Sequence, residues 1–234
     1  MSVLIKICGL KTAPALDAAL DAGADLVGFV FFAPSPRHID CEAACALGAR
    51  VAGRARKVAV AVDASDALLA AAIAALQPDF LQLHGRETPE RVALIRSRFG
   101  LPVVKALPVS GRSDLACAHV FAQVADRVML DARAPPEATR PGGHGLAFDW
   151  RLLENLALGV PFLLSGGLNA GNVAQALAIT RAPAVDVSSG VERASGEKDA
   201  GKIREFICAA RAAAAAAARE RAPSHEERAK AVSR

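Results

Sequence analysis

Val3-Leu4-Ile5-Lys6-Ile7-Cys8-Gly9-Leu10-Lys11 is the first regular pattern in the chain. Its β-branched run predicts a strand at Val3–Ile7 that ends in a glycine turn. Side chains alternate along a strand, so Lys6 and Cys8 share one face, with Cys8 at the mouth end, while Ile5 and Ile7 share the other. The turn Cys8-Gly9-Leu10-Lys11 lacks the GxGxxG that a dinucleotide-binding fold carries at this place. Seven more such runs follow at Leu26–Val30, Val58–Val62, Phe80–Leu83, Val103–Leu107, Arg127–Leu130, Phe162–Leu164 and Ala184–Val187, with Ala/Leu-rich stretches between them. Most starts fall 22–24 residues apart, the length of a strand, a loop and a three-turn helix. The longer intervals after the second and sixth strands are natural places for active-site loops. Strict alternation implies parallel strands with right-handed crossovers, and eight units favour closure. The expected fold is therefore α/β, a single (β/α)8 TIM barrel with eight parallel strands spanning residues 1–218.

Helix ends agree with this count. Thr12, Asp63, Ser65 and Thr88 stand where N-caps are wanted, Pro14 and Pro89 suit first turns, and Gly23, Gly48 and Gly100 mark stops. Just over half of the 234 residues are apolar, few are aromatic and none is tyrosine, so Val, Leu, Ile and Ala must fill the core. The formal charge is +4, of which residues 219–234 contribute +2 from five Lys/Arg and three Asp/Glu. No basic cluster remains to bind nucleic acid. Five cysteines without a CxxC pair read as reduced thiols, with Cys41 and Cys45 on one helix face as core packing. No signal segment precedes the first strand and no apolar run reaches membrane-spanning length, so a cytoplasmic protein without membrane partners is expected. The Ala212–Ala218 run extends the last helix, and the charged stretch from Pro223 onward is expected to be disordered.

Barrels of this kind place chemistry at the C-terminal strand ends and phosphate near the last units. Gly142-Gly143-His144-Gly145 ends the long sixth loop, just before Phe148-Asp149-Trp150 opens a helix, while Ser165-Gly166-Gly167 follows strand seven and Ser188-Ser189-Gly190 follows strand eight. One such turn is only a turn. Three at neighbouring strand ends point to a phosphate held by backbone N–H groups, with Gly142, Gly143, Gly145, Gly166, Gly167, Ser189 and Gly190 as its ligands. Cys8 and Asp131 end strands one and six, where a thiol can act as base and a half-buried carboxyl, its pKa raised, as acid. Each also has a plain alternative, an inert core thiol and a loop cap. Lys6 would favour the thiolate, but a structural ion pair inside the barrel is its expected role. Arg37, stiffened by Pro34 and Pro36, suits a bidentate grip on a carboxylate unless it is simply solvent-exposed. His84 and Asp186 stand at strand ends four and eight. No His/carboxylate spacing indicates a metal, and no GxSxG supports a hydrolase.

Lys6-Ile7-Cys8-Gly9-Leu10, Ser35-Pro36-Arg37, Gln82-Leu83-His84-Gly85, Leu130-Asp131 and Gly143-His144-Gly145 with Phe148-Asp149-Trp150 resemble, in order, motifs of the phosphoribosylanthranilate isomerase family. So do Leu164-Ser165-Gly166-Gly167-Leu168, Asn172-Val173, Val185 to Glu192 and Lys198-Asp199, and the resemblance covers about residues 3–207. It implies a cofactor-free, metal-free Amadori rearrangement of a small phosphorylated substrate in tryptophan biosynthesis, by a monomer or homodimer. Cys8 would be the base and Asp131 the acid. Arg37, His84 and Asp186 would bind substrate, Arg37 through the anthranilate carboxylate. One departure is His144, where the family usually carries Thr or Ser. The alternatives are another phosphosugar-binding barrel isomerase or synthase, against which Cys8 argues, or a non-catalytic phosphate-ligand sensor, which has no need of an acid–base pair.

Overall fold

The computed structural model describes residues 3–138 and 140–220. The expected disorder beyond Pro223 falls outside those residues. Eight parallel strands, β1 (Leu4–Cys8), β2 (Leu26–Phe31), β3 (Arg56–Ala61), β4 (Phe80–Leu83), β5 (Val103–Val109), β6 (Arg127–Ala132), β7 (Phe162–Leu164) and β8 (Ala184–Val187), hydrogen-bond in chain order. β1 returns to pair with β8, with Lys6 opposite Asp186, and the barrel is closed. Among the described residues seven α-helices wrap it: α1 (Ala13–Asp21), α2 (Cys41–Val51), α3 (Asp66–Leu76), α4 (Pro89–Phe99), α5 (Asp114–Phe121), α6 (Val173–Thr180) and α7 (Ala200–Glu220). Alternation lapses once. Between β6 and β7 stands a single 3-10 turn, Trp150–Leu153, capped by Asp149, in place of the helix expected there. A hairpin, β9 (Glu192–Ala194) and β10 (Glu197–Lys198), follows β8.

The period of two sorts the core into layers. Cys8, Leu26, Val58, Val60, Val104, Met129 and Leu163 fill the barrel interior. Their strand neighbours, such as Ile5, Ile7, Ala59, Val103 and Leu130, pack outward against the helices. Ser65 and Thr88 cap α3 and α4 as expected, each accepting a backbone N–H three residues on. Thr12 holds the N-cap position of α1 without a side-chain bond. Asp63 caps nothing: its Oδ1 accepts from Arg86 N at 2.6 Å, tying the end of β3 to the β4 loop. Gly48 is not a helix stop either. It lies inside α2, where a Cβ would stand 3.1 Å from Leu76 Cδ1, so it lets α2 pack closely on α3. Cys41 and Cys45 are exposed, because Ala44, Leu47, Gly48 and Val51 form the buried face of α2. At the base, α7 is pinned by Arg211, which donates to Val3 O and Gly23 O and pairs with Asp25 at 2.7 Å. No helix among the described residues is long and apolar enough to cross a membrane.

Candidate active site

The C-terminal strand ends open into a cavity of about 790 Å³, counting the open space at its rim. Cys8, Arg37, His84, Asp131 and Asp186 line it together with Gly142, Gly143, Gly145, Gly166, Gly167, Ser189 and Gly190. Every residue singled out from the sequence therefore meets at one mouth.

Cys8 is buried, and Lys6 lies beneath it on the same face of β1. Gly28 on the neighbouring strand makes room for both, since a Cβ there would stand 3.0 Å from Cys8 Sγ and from Lys6 Nζ. Lys6 Nζ donates to Asp186 Oδ1 at 2.7 Å, and Ser165 Oγ donates to Asp186 Oδ2 at 3.1 Å. Both oxygens of Asp186 thus have partners within the protein. Burial pulls Lys6 down, but Asp186 and Cys8 outweigh that and its pKa is pushed up to about 12. Burial pushes the Cys8 thiol up, and the opposing pull of Lys6 does not restore it, in part because Asp186 offsets the lysine charge. Lys6 alone therefore does not bring the Cys8 thiol below its ordinary range.

Asp131 is buried rather than half-buried, at 5% exposure. Its Oδ2 lies 3.1 Å from His84 Nε2, and Gln82 Nε2 lies 3.0 Å from His84 Nδ1. The Gln82 amide nitrogen also faces Met129 Sδ at 3.4 Å, an acceptor, which orients the amide. Donor and acceptor in these two contacts follow the tautomer of His84. Both ring nitrogens of His84 face protein groups.

Arg37 is 4% exposed, not solvated. Its fork does grip a carboxylate, but an internal one: Nε and Nη2 donate to Glu192 Oε1 and Oε2 at 2.7 and 2.9 Å. Nη2 also reaches Gly143 O at 3.3 Å. Only the Nη1 edge stays uncommitted among the described residues. Lys198, from β10, completes this cluster at 2.7 Å from Glu192 Oε1.

The three glycine turns close around the mouth. A Cβ on Gly142 would stand 2.7 Å from Asp131 Oδ2, so the sixth loop passes directly over the Asp131 carboxyl. Gly166, at φ +89°, abuts Ala132 N, while Gly167 abuts the backbone of Leu146 and Ala147 and Gly190 meets the Leu168 carbonyl. A hypothetical Cβ on Gly145 would be 3.8 Å from Ser189 Oγ, so loops six and eight meet. His144 lines the same cavity, with its Nε2 2.9 Å from Arg140 O.

A model of the N-(5'-phosphoribosyl)anthranilate isomerase family matches residues 5–209. The chain belongs to this family. The N-(5'-phosphoribosyl)anthranilate isomerase of Nitrobacter hamburgensis is 61% identical over 213 residues, 91% of this chain and 95% of that one. The crystal structure of phosphoribosyl anthranilate isomerase from Thermotoga maritima has a TM-score of 0.81 at 34% identity, covering 90% of this chain and 99% of its own. A second solved isomerase, in complex with reduced 1-(o-carboxyphenylamino)-1-deoxyribulose 5-phosphate, has a TM-score of 0.77 at 32% identity, with the same coverage. Gln82, Glu192 and Lys198 stand in the motifs that carry the resemblance, but the sequence gives none of them a role. The signal available was a Glu and a Lys flanking the Gly196 turn, but nothing local marks either as buried.

Proposed function

We propose that this chain rearranges N-(5-phosphoribosyl)anthranilate to 1-(2-carboxyphenylamino)-1-deoxyribulose 5-phosphate, with Asp131 as acid and Cys8 as base. The observation that carries this reading is the meeting of Cys8, Asp131 and three glycine turns at one mouth. Asp131 protonates the ribose ring oxygen, and the C1′–O bond opens to an iminium. The iminium draws electrons from C2′, and Cys8 removes the C2′ proton. The enolamine so formed tautomerises to the ketone. C2′ is oxidised and C1′ reduced within one molecule, so the electrons balance without a cofactor or a metal, which makes the enzyme an intramolecular oxidoreductase. Cys8 acts as the thiolate: the thiol proton passes to solvent before C2′–H transfer, and the cationic iminium beside the sulfur favours the ionised form.

Backbone N–H groups of Gly142, Gly143, Gly145, Gly166, Gly167, Ser189 and Gly190 hold the phosphate. The free Nη1 edge of Arg37 makes a single contact to the anthranilate carboxylate, since its fork is committed to Glu192. His84 acts on Asp131 and Asp186 on Lys6, so each serves the substrate through another residue. The enzyme is expected to work as a monomer or homodimer in the cytoplasm.

The test follows the loss of fluorescence of freshly prepared phosphoribosylanthranilate, with chelator present and no cofactor added. Cys8→Ser and Asp131→Asn should each lose at least about a hundredfold in kcat with little change in KM. No turnover by folded parent protein, or an undiminished kcat in either variant, would overturn the assignment.

A further inference from the structure

The sixth loop brings a second arginine to the mouth. Arg140 is half-buried and lines the cavity, and with Arg37 it also lines an adjoining recess. The two guanidiniums meet on one acceptor: Arg37 Nη2 donates to Gly143 O at 3.3 Å and Arg140 Nη2 to the same oxygen at 3.4 Å. Arg140 Nε donates to Gly142 O at 3.2 Å. Carbonyls carry no net charge, and no carboxylate among the described residues stands within ion-pair distance of Arg140. Two like charges gathered over one carbonyl repel unless an anion joins them. The turn holds Arg140 in this place. Pro141 disfavours helical backbone at the residue before it. His144 Nε2 lies 2.9 Å from Arg140 O, and since a carbonyl only accepts, the ring donates. Gly143, at φ +77°, has no Cβ to collide with Arg37 Nη1, so the two arginines can share this space.

We propose that Arg140 is a specificity residue for the carboxylate on the substrate's aryl ring: Arg37 Nη1 takes one oxygen, the Arg140 guanidinium takes the other, and His144 braces the turn that aims Arg140. The proposal rests on the isomerase reading and extends it to a residue of the sixth loop. Glu192 already occupies the Nε–Nη2 edge of Arg37, which leaves that arginine one contact for a group with two oxygens. A second planar guanidinium on the same carbonyl supplies the missing donor. A ligand without the carboxylate loses both contacts and leaves the two cations facing each other, which is how a polar site rejects an analogue that lacks its partner. His144, at the position where the family usually carries Thr or Ser, thereby acts on the turn.

The experiment titrates the full-length protein calorimetrically with two ligands. One is the product reduced at its ketone with borohydride, and the other is the same compound built on aniline, which lacks only the carboxylate. The parent should bind the first at least about tenfold more tightly. Arg140→Gln should weaken that ligand about tenfold or more and the aniline compound less than about twofold, so that the second ligand reports an intact fold and phosphate site. Arg140→Lys, charged but without the fork, should fall between the parent and the Gln variant. His144→Leu keeps the Arg140 charge but releases the turn, and should show a smaller loss confined to the carboxylate ligand. Equal loss of both ligands in Arg140→Gln assigns Arg140 to the phosphate or to the fold of the loop and overturns the proposal. So does a parent that does not distinguish the two ligands. Parent affinities in His144→Leu overturn the bracing role. A folded parent that binds neither ligand overturns the isomerase reading itself, whereas a parent that binds both beside a silent Arg140→Gln overturns only the assignment of Arg140.

Discussion

Asp186→Asn distinguishes a residue that touches substrate from one that neutralises a buried lysine. The Lys6 and Asp186 side chains are 1% and 5% exposed and 2.7 Å apart. Without the carboxylate, Lys6 has two courses. It can stay charged, and breaking a buried pair in that way costs about 3–5 kcal/mol. Or it can lose its proton, which from an ordinary pKa of about 10.5 costs roughly 4.8 kcal/mol at pH 7 and caps the loss. Stability should thus fall by about 3–5 kcal/mol at pH 7, a large part of the ~5–15 kcal/mol typical of a domain. The sign of the pH dependence follows from the raised Lys6 pKa. The parent's benefit is full below the unfolded value of 10.5 and is lost as pH climbs through about 12. Near pH 10 the variant's own penalty should shrink to below about 1 kcal/mol, because a neutral lysine is nearly free there, while the parent's benefit is still present, so the gap narrows without closing. Urea unfolding followed by the fluorescence of the single tryptophan, Trp150, and by circular dichroism reads both limits. Lys6→Met with Asp186→Leu should recover most of the loss. A variant within about 1 kcal/mol of the parent at pH 7 but with a raised KM would refute this reasoning and return Asp186 to substrate contact.

Two further outcomes are expected. Gly166→Ala sets a Cβ 2.5 Å from Ala132 N at φ +89°; with ~1–3 kcal/mol of backbone strain at a phosphate turn, KM should rise at least about tenfold and kcat change less, and an unchanged KM in steady-state assays would remove this turn from the phosphate site. Burial alone would raise Asp114, but the Ser110 and Gly111 N–H groups and Arg133 bring it to about 2. The resulting stability is present above about pH 4 and fades as pH falls toward 2; with Arg133 half exposed it is about 1 kcal/mol. Acid unfolding of Asp114→Asn should lack that component, and a variant as stable as the parent above pH 4 would contradict it.

Much of the architecture is legible locally. β4, β7 and β8 begin and end where the β-branched runs do, and Ser65 and Thr88 cap because a cap needs only its own next three residues. Gly48 and Asp63 defeat local reading because their reasons lie elsewhere, in Leu76 of α3 and in the β4 loop. The sixth connection reads as a helix start at Phe148-Asp149-Trp150 but turns only once before β7.

The candidate site divides along the same line. Period-two alternation and the strand-end rule were enough to put Cys8 on the barrel's inner face at its mouth, to bring Asp131 to the same rim and to gather the glycine turns there. They could not say what each charge would meet. Lys6 finds Asp186 across 180 residues, and Arg37 finds Glu192 across 155, only because β1 closes on β8 and the hairpin after β8 folds back over the β2 loop. Strand and helix positions follow from side-chain periodicity over a few residues. Ion-pair partners and thiol acidity depend on which groups share a dry interior, and that is settled by closure of the barrel.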